Sequence, residues 1–369
     1  MDRRIWRQFD LVLIGLIALL IGYGVIMIYS ANQNQDDLRD LWWTQLTRVA
    51  VGLAALLVVA AVDYRYYALL YRLLYITILA LLGAVFVVGQ LTAGTLRWLD
   101  FSLFPVQPSE LAKIVLIVVL AKVLADRDGE MNRLRNLFIA ALVAVPPMAL
   151  VYAQPDLGTT IIIGTVWLFM VLMAGANLFH IGLFGLGSLL VIPVVWFTPG
   201  LLADYQRERV LLFLYPDQTD PGYFNIQQAL ISIGSGGVLG KGFSIGTQNQ
   251  LHFLRVRHTD FIFSVIAEEM GMLGSMILFL LILTVIWRIM RAADLTPDPF
   301  GRLICIGVAS LILFQSFVNL GVNLGMLPVT GTPLPFVSYG GSSLIAFLIA
   351  LGLVQSVLMR HKALDFEET

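Results

Sequence analysis

The chain has almost no cysteine and very little charge. Its single thiol, Cys305, lies inside an apolar run, which excludes disulfides and thiolate metal clusters. Four histidines, at 180, 252, 258 and 361, show no metal-ligand spacing, so any metal would rest on carboxylates, phosphates and water. Charged residues make up only 13% of the 369, against 59% hydrophobic, and mean hydropathy is +0.85. A soluble domain of this length cannot bury that much apolar surface, so the chain reads as an all-α polytopic membrane protein. The formal net charge of −1 shows no basic excess and no nucleic-acid partner is expected; sign matters here by location.

What is present is a series of apolar runs long enough to span a bilayer. They fall at about 9–30, 46–62, 69–89, 110–126, 137–153, 157–174, 178–198, 261–287, 302–325 and 337–358, which predicts ten transmembrane helices in one membrane domain over 1–369. The first run follows basic residues but is too long for a cleaved leader and has no A-x-A site after it, so it is expected to be retained. With the N-terminus inside, the inner segments carry 14 of the 23 basic residues, while the short outer loops hold only Arg39 and Arg97. That asymmetry places both termini in the cytoplasm and the long segment 199–260, between the seventh and eighth spans, outside. A loop of that length in a compact protein is expected to be functional. Its stretch Phe224–Ile233 is apolar on one side and predicts a short helix on the membrane surface. There is no internal repeat and no low-complexity segment.

Ionisable groups inside spans are costly and usually face a cavity or a partner. Gln107-Pro108-Ser109-Glu110 opens the fourth span, and Glu110 and Lys113, three apart, share a helix face and can pair. Arg48 lies in the outer part of the second span. Gln154-Pro155-Asp156-Leu157-Gly158-Thr159 bridges the fifth and sixth, with Asp156 placed to cap a helix. Asn319 and Asn323 put two amides on one face of the ninth.

The long outer segment supplies further groups. Tyr205-Gln206-Arg207-Glu208-Arg209-Val210 sets two guanidiniums two residues apart, suited to phosphate oxygens. Ser235-Gly236-Gly237 and Gly240-Lys241-Gly242 resemble a phosphate loop, but the spacing fails: Ser235 and Gly242 stand where glycine and Ser or Thr are required. The expectation is a mobile glycine-rich cover over 233–248, followed by a basic approach from Arg255 to His258. Asp260 then sits against the apolar run beginning at Phe261, and Glu268 and Glu269 lie two turns deeper as weaker candidate acids. Before the last span, Pro328–Ser343 is rich in glycine, proline and hydroxyls, including Ser338. Such backbone is tolerated at membrane depth only where it is enclosed by protein or lines a cavity.

Six motifs in order, QPSELAK, QPDLGT, YQRERV, IGSGGVLGKGFSIGTQ, RHTDFIFSVIAEEMG and PVTGTPLPFVSYGGSS, resemble the SEDS family of shape, elongation, division and sporulation proteins over almost the whole chain. The GKG…GTQ form at 240–248 is more similar to the RodA branch than to FtsW, and Gln228 departs from a serine more usual there. The resemblance implies a SEDS fold with a core like that of GT-C-type membrane glycosyltransferases. It implies polymerisation of lipid II into peptidoglycan on the outer face of the bacterial cytoplasmic membrane. It also implies a class B penicillin-binding protein as transpeptidase partner, within an elongation complex of other membrane proteins. The family's essential acid falls on Asp260.

An inverting transfer needs a base on the acceptor hydroxyl and stabilisation of the departing diphosphate. Asp260 is the expected base, at the headgroup height where lipid-linked sugars are presented. Candidates to bind substrate or diphosphate are Arg48, Arg97, Glu110, Lys113, Arg207, Arg209, Lys241, His258 and Ser338; a Mg or Mn ion could assist. Two other readings stay open at this point: a lipid II flippase, and a non-catalytic scaffold that activates a penicillin-binding protein.

Overall fold

The computed structural model describes residues 6–33, 35, 38–92, 95–100, 105–217, 219–250, 254 and 256–360. Seven helices follow one another first: α1 (Leu11–Asn32), α2 (Leu41–Ala61), α3 (Tyr64–Val88), α4 (Pro108–Ala125), α5 (Leu134–Ala153), α6 (Leu157–Met173) and α7 (Leu178–Phe197). The long connection contains α8 (Asp204–Leu214), α9 (Pro221–Gly236) and the single turn α10 (Thr247–Gln250); then come α11 (Ile262–Asp294), α12 (Pro299–Asn323) and α13 (Gly341–Leu358).

Ten of these helices stand where the ten apolar runs predicted them, but the spanning count is not as clean. Eight are long and apolar enough to cross a membrane. The other two depart for visible reasons: α4 carries Glu110, Lys113 and Lys122, and α6 is 17 residues long. A purely helical reading also missed a small antiparallel sheet between α3 and α4. Its strands are β1 (Gln90–Thr92), β2 (Thr95–Asp100) and β3 (Pro105–Val106), with Gln90 opposite Trp98 and Leu99 opposite Val106.

α12 and α13 form the middle of the bundle, with 78% and 83% of their apolar windows buried, whereas α7 buries none. α12 packs on α4, α6, α11 and α13, and α13 lies along α2. Small residues permit this closeness, as expected between membrane helices. At Gly352 of α13, a Cβ would sit 2.7 Å from the Leu56 carbonyl of α2. Helix starts are set by side chains: Asp10 accepts from the Leu13 amide, Asp156 from the Thr159 amide, and Asp298 from the Phe300 and Gly301 amides.

One irregularity fixes the outer connection. α11 breaks at Gly271, whose φ of 64° is a left-handed value open to glycine. The break frees the Glu268 and Glu269 carbonyls and the Met272 and Leu273 amides, which would otherwise pair with one another. The glycine-rich segment inserts there. Lys241 and Gly242 amides donate to the Glu268 and Glu269 carbonyls at 2.9 and 3.0 Å. The Met272 and Leu273 amides donate to Gly237 and Val238 carbonyls at 2.9 and 3.1 Å. Four backbone bonds thus replace two, and the segment expected as a mobile cover is a docked bracket. The helix expected at Phe224–Ile233 is present and longer, as α9, and it packs against α11.

Candidate active site

The non-helical segment Pro328–Gly340 is the strut on which the site is assembled. The Val329 carbonyl accepts from Arg209 Nη1 at 3.2 Å. The Thr332 carbonyl accepts from Asn319 Nδ2 at 2.8 Å, and the Pro333 carbonyl from Gln315 Nε2 at 2.9 Å. Ser338 Oγ accepts from the Leu334 amide at 2.8 Å and donates to the Thr259 carbonyl at 2.7 Å. The Tyr339 amide donates to the His258 carbonyl at 2.9 Å. Gln45 of α2 closes the far end, donating to the Ser338 carbonyl at 3.2 Å. Buried irregular backbone in a membrane protein must find such partners, and here side chains from α2, α8 and α12 provide them.

Asp260 is held from behind, and the residue is partly buried. Its backbone carbonyl accepts from Asn319 Nδ2 at 3.0 Å and Asn323 Nδ2 at 2.8 Å. Asn323 is fixed in turn by Ser264, whose hydroxyl donates to Asn323 Oδ1 at 2.7 Å. The four-residue spacing of the two asparagines on α12 therefore points both amides at one carbonyl. The Asp260 carboxylate faces Gly331, where a Cβ would lie 3.9 Å from Oδ2. Burial pushes the Asp260 carboxyl up to about 6, while the Arg209 charge and a Thr259 hydrogen bond pull it down. A carboxyl in that range is poised as a general base near neutral pH.

The predicted cations separate into those around Asp260 and those committed elsewhere. Arg209 acts on Asp260 directly and lies over the Tyr205 ring at 5.4 Å. Arg48 lies over the Tyr339 ring at 4.6 Å, and that ring meets His258 edge-on at 5.6 Å. Arg207 is turned away: it donates to the Trp196 carbonyl and stacks on the Trp196 ring at 5.4 Å. The pair of guanidiniums does not grip one group, because residues two apart on a helix face different sides. Arg97 donates to the Gln154 carbonyl at 3.1 Å, the Pro155 carbonyl, and Tyr205 Oη at 3.0 Å, tying β2 to the α5–α6 turn and to α8. Asp156 is 4.0 Å from Arg97 and acts mainly as the cap of α6.

Glu110 and Lys113 do pair, at 2.9 Å, and both are buried. Lys113 also donates to Gln315 Oε1 at 2.8 Å, so the pair reaches Pro333 through Gln315. Lys241 is engaged by Glu268 Oε1 at 2.8 Å and Thr247 Oγ1 at 2.7 Å. Glu268 further accepts from the Gln248 amide at 3.0 Å, and Glu269 from Ser30 Oγ at 2.5 Å and the Ser244 amide at 3.1 Å. Both acids serve the bracket.

The basic approach is also revised. Arg255 lies outside the described residues. Arg257 is buried and donates to the Ala31 carbonyl at 2.6 Å and Gln35 Oε1 at 2.9 Å, joining the loop to the end of α1. Burial, aided by Arg257, lowers His258 to about 4, so its imidazole is neutral at physiological pH. The residues missed in sequence are Gln45, Gln315, Thr332 and Tyr339. Gln315 was visible only as a polar residue in an apolar run, and Gln45 only as one just before the second run. Among the described residues no group of three or more His, Cys, Asp or Glu could hold a metal ion. An ion here would rest on Asp260 and on substrate oxygens.

Known proteins resemble this chain over nearly its full length. The family model described as cell cycle protein, covering FtsW, RodA and SpoVE, matches residues 10–363. The chain is 39% identical over 351 residues to the peptidoglycan glycosyltransferase MrdB of Escherichia coli strain K12, covering 95% of this chain and 93% of that one. It is 36% identical to the probable peptidoglycan glycosyltransferase FtsW of Geobacter metallireducens, with 96% of each chain covered. The crystal structure of the rod shape determining protein RodA of Thermus thermophilus superposes with a TM-score of 0.72 at 33% identity, covering 96% and 97% of the two chains. A chain from a peptidoglycan synthase complex that coordinates polymerization and crosslinking superposes with a TM-score of 0.80 at 35% identity, covering 96% and 98%. With the matched region spanning every helix described above, the chain belongs to the FtsW, RodA and SpoVE family.

Proposed function

We propose that this multi-pass membrane protein is a peptidoglycan glycosyltransferase that polymerises lipid II, with Asp260 as its general base. The carrying observation is the hold on Asp260. Two asparagine amides fix its backbone carbonyl while its carboxylate faces Gly331 and feels the charge of Arg209. The names of the Escherichia coli and Geobacter relatives support the activity.

The donor MurNAc is α-linked to undecaprenyl diphosphate and the product linkage is β-1,4, so the transfer inverts the anomeric carbon. The Asp260 carboxylate takes the proton of the acceptor GlcNAc 4-hydroxyl. The freed oxygen bonds to the MurNAc anomeric carbon as its bond to the diphosphate oxygen breaks, and undecaprenyl diphosphate leaves. Arg209 is the first cation for that leaving charge, since its charge already acts on the Asp260 carboxyl, and Arg48 the second, across Tyr339. Lys113 and Glu110 support the strut through Gln315. A Mg or Mn ion held by the diphosphate and Asp260 would add charge stabilisation of the same kind.

The distribution of basic residues supports placement in the bacterial cytoplasmic membrane with both termini inside and Asp260 at the outer face. The partner is a class B penicillin-binding protein within an elongation complex, as the superposed synthase complex supports. The test supplies lipid II on one side of reconstituted vesicles. Glycan strands support the reading. Translocation without product would favour a flippase, and strands made only by an added partner enzyme would favour a scaffold.

A further inference from the structure

A cavity lies at the opposite end of the bundle from Asp260. α11 starts beside Asp260, and beyond its break at Gly271 it continues to Asp294, about 35 Å at the usual rise, so Arg288 and Arg291 stand near its far end. There α1, α11 and the end of α13 line an open cavity of about 610 Å³ that holds Arg7, Arg288, Arg291 and, among the described residues, one acid, Asp10.

Asp10 is fully used. Arg288 Nε and Nη2 donate to its two carboxylate oxygens at 2.7 and 3.1 Å, and the Leu13 amide donates to Oδ1 at 3.0 Å. Gln355 holds its backbone from α13, with both bonds at 3.0 Å. Arg288 and Asp10 therefore cancel. Arg7 and Arg291 have no acidic partner within ion-pair distance among the described residues, so the described lining carries two more positive than negative charges.

The cavity wall is apolar and faces outward. Leu11 and Val12 line it and are 73% and 57% exposed. Trp287 is also exposed and lies under Arg291 at 5.8 Å, the place an interfacial aromatic occupies beside a headgroup. Positive charge beside an exposed apolar wall fits an amphiphile with an anionic head, and a free anion would make no use of Leu11 or Val12.

We propose that this cavity binds an anionic membrane phospholipid, its phosphate between Arg7 and Arg291 and its acyl chains along Leu11 and Val12. The bound lipid braces α1 against α11, the helix whose other end carries Asp260. The inference stands apart from the glycosyltransferase reading, because its readout is lipid binding.

The test uses the full-length protein in detergent, with lipid retention measured by native mass spectrometry and confirmed by the thermal midpoint. Phosphatidylglycerol is expected to be retained and to raise the midpoint, and phosphatidylcholine to do neither. The R7Q/R291Q double variant should lose affinity for phosphatidylglycerol about twenty-five-fold, at about fivefold per surface guanidinium. Its lipid-free midpoint should match the parent, and R7K/R291K should keep most of the binding. Equal retention of both lipids, or unchanged affinity in R7Q/R291Q, overturns the proposal. So does displacement by inorganic phosphate at the concentration where phosphatidylglycerol binds, which would mark a site for the anion alone.

Discussion

Asn323 donates its side-chain amide to the backbone carbonyl of Asp260 at 2.8 Å, from a helix 63 residues further along the chain. That bond, doubled by Asn319, couples one of the two most buried helices of the bundle to the acid that stands just before α11. In the proposed mechanism this makes α12 a positioning element for the base.

Asn323→Ala removes one donor from the Asp260 carbonyl and the acceptor of Ser264. A buried group losing its partner costs about 1–3 kcal/mol, so the thermal midpoint should fall. Strand synthesis should drop more than the loss of folded protein explains, with kcat affected before KM. Asn323→Asp, which keeps an oxygen for Ser264 and drops the donor, should repeat the rate defect. Full activity in both variants would show that the carbonyl hold is dispensable.

The pH profile follows from Asp260. Burial holds its carboxyl near about 6, and a base works ionised, so the rate should be level above that pH and fall about tenfold per unit below it. Arg209 favours the ionised form, so Arg209→Gln should move the break to higher pH besides weakening the reaction. An unshifted break in Arg209→Gln would remove Arg209 from the carboxylate's surroundings.

Much of this site was legible in the sequence and part of it was not. Asp260 was readable because an acid directly before an apolar run needs an environment. The Glu110–Lys113 pair and the Asp156 cap were readable because both depend on local spacing. Arg207, Lys241 and Arg257 were misread for one common reason. A cation in an outer loop looks available to an anion, but its partners here are a tryptophan, a glutamate 27 residues away, and a carbonyl at the end of α1. The docked bracket was invisible because it depends on a helix break at Gly271, which composition does not announce.

The bracket makes its own prediction. Gly240 has a φ of +80°, and a Cβ there would collide with the Glu269 carbonyl. Gly240→Ala should lower the thermal midpoint strongly, whereas Ala at exposed Gly234, which has open space around it, should be tolerated. Amide exchange offers a direct check: the Lys241 and Gly242 amides should be protected as helix amides are, and fast exchange would restore the mobile cover.

The buried pair separates structural from substrate roles. Lys113→Met leaves Glu110 as an unpaired buried acid and should cost about 3–5 kcal/mol. Adding Glu110→Gln should recover most of that stability. If the pair only braces the strut through Gln315, activity returns with stability in the double variant. Activity that stays low in a stable double variant would assign Lys113 to the diphosphate.

The most direct measurement is strand synthesis from lipid II by the purified protein and by Asp260→Ala, each with and without the transpeptidase partner. Removing a positioned base is typically worth about 10²–10⁴-fold. The variant should therefore fold, bind the partner and make almost no glycan under either condition. Glycan strands at the parent rate from Asp260→Ala would contradict the account.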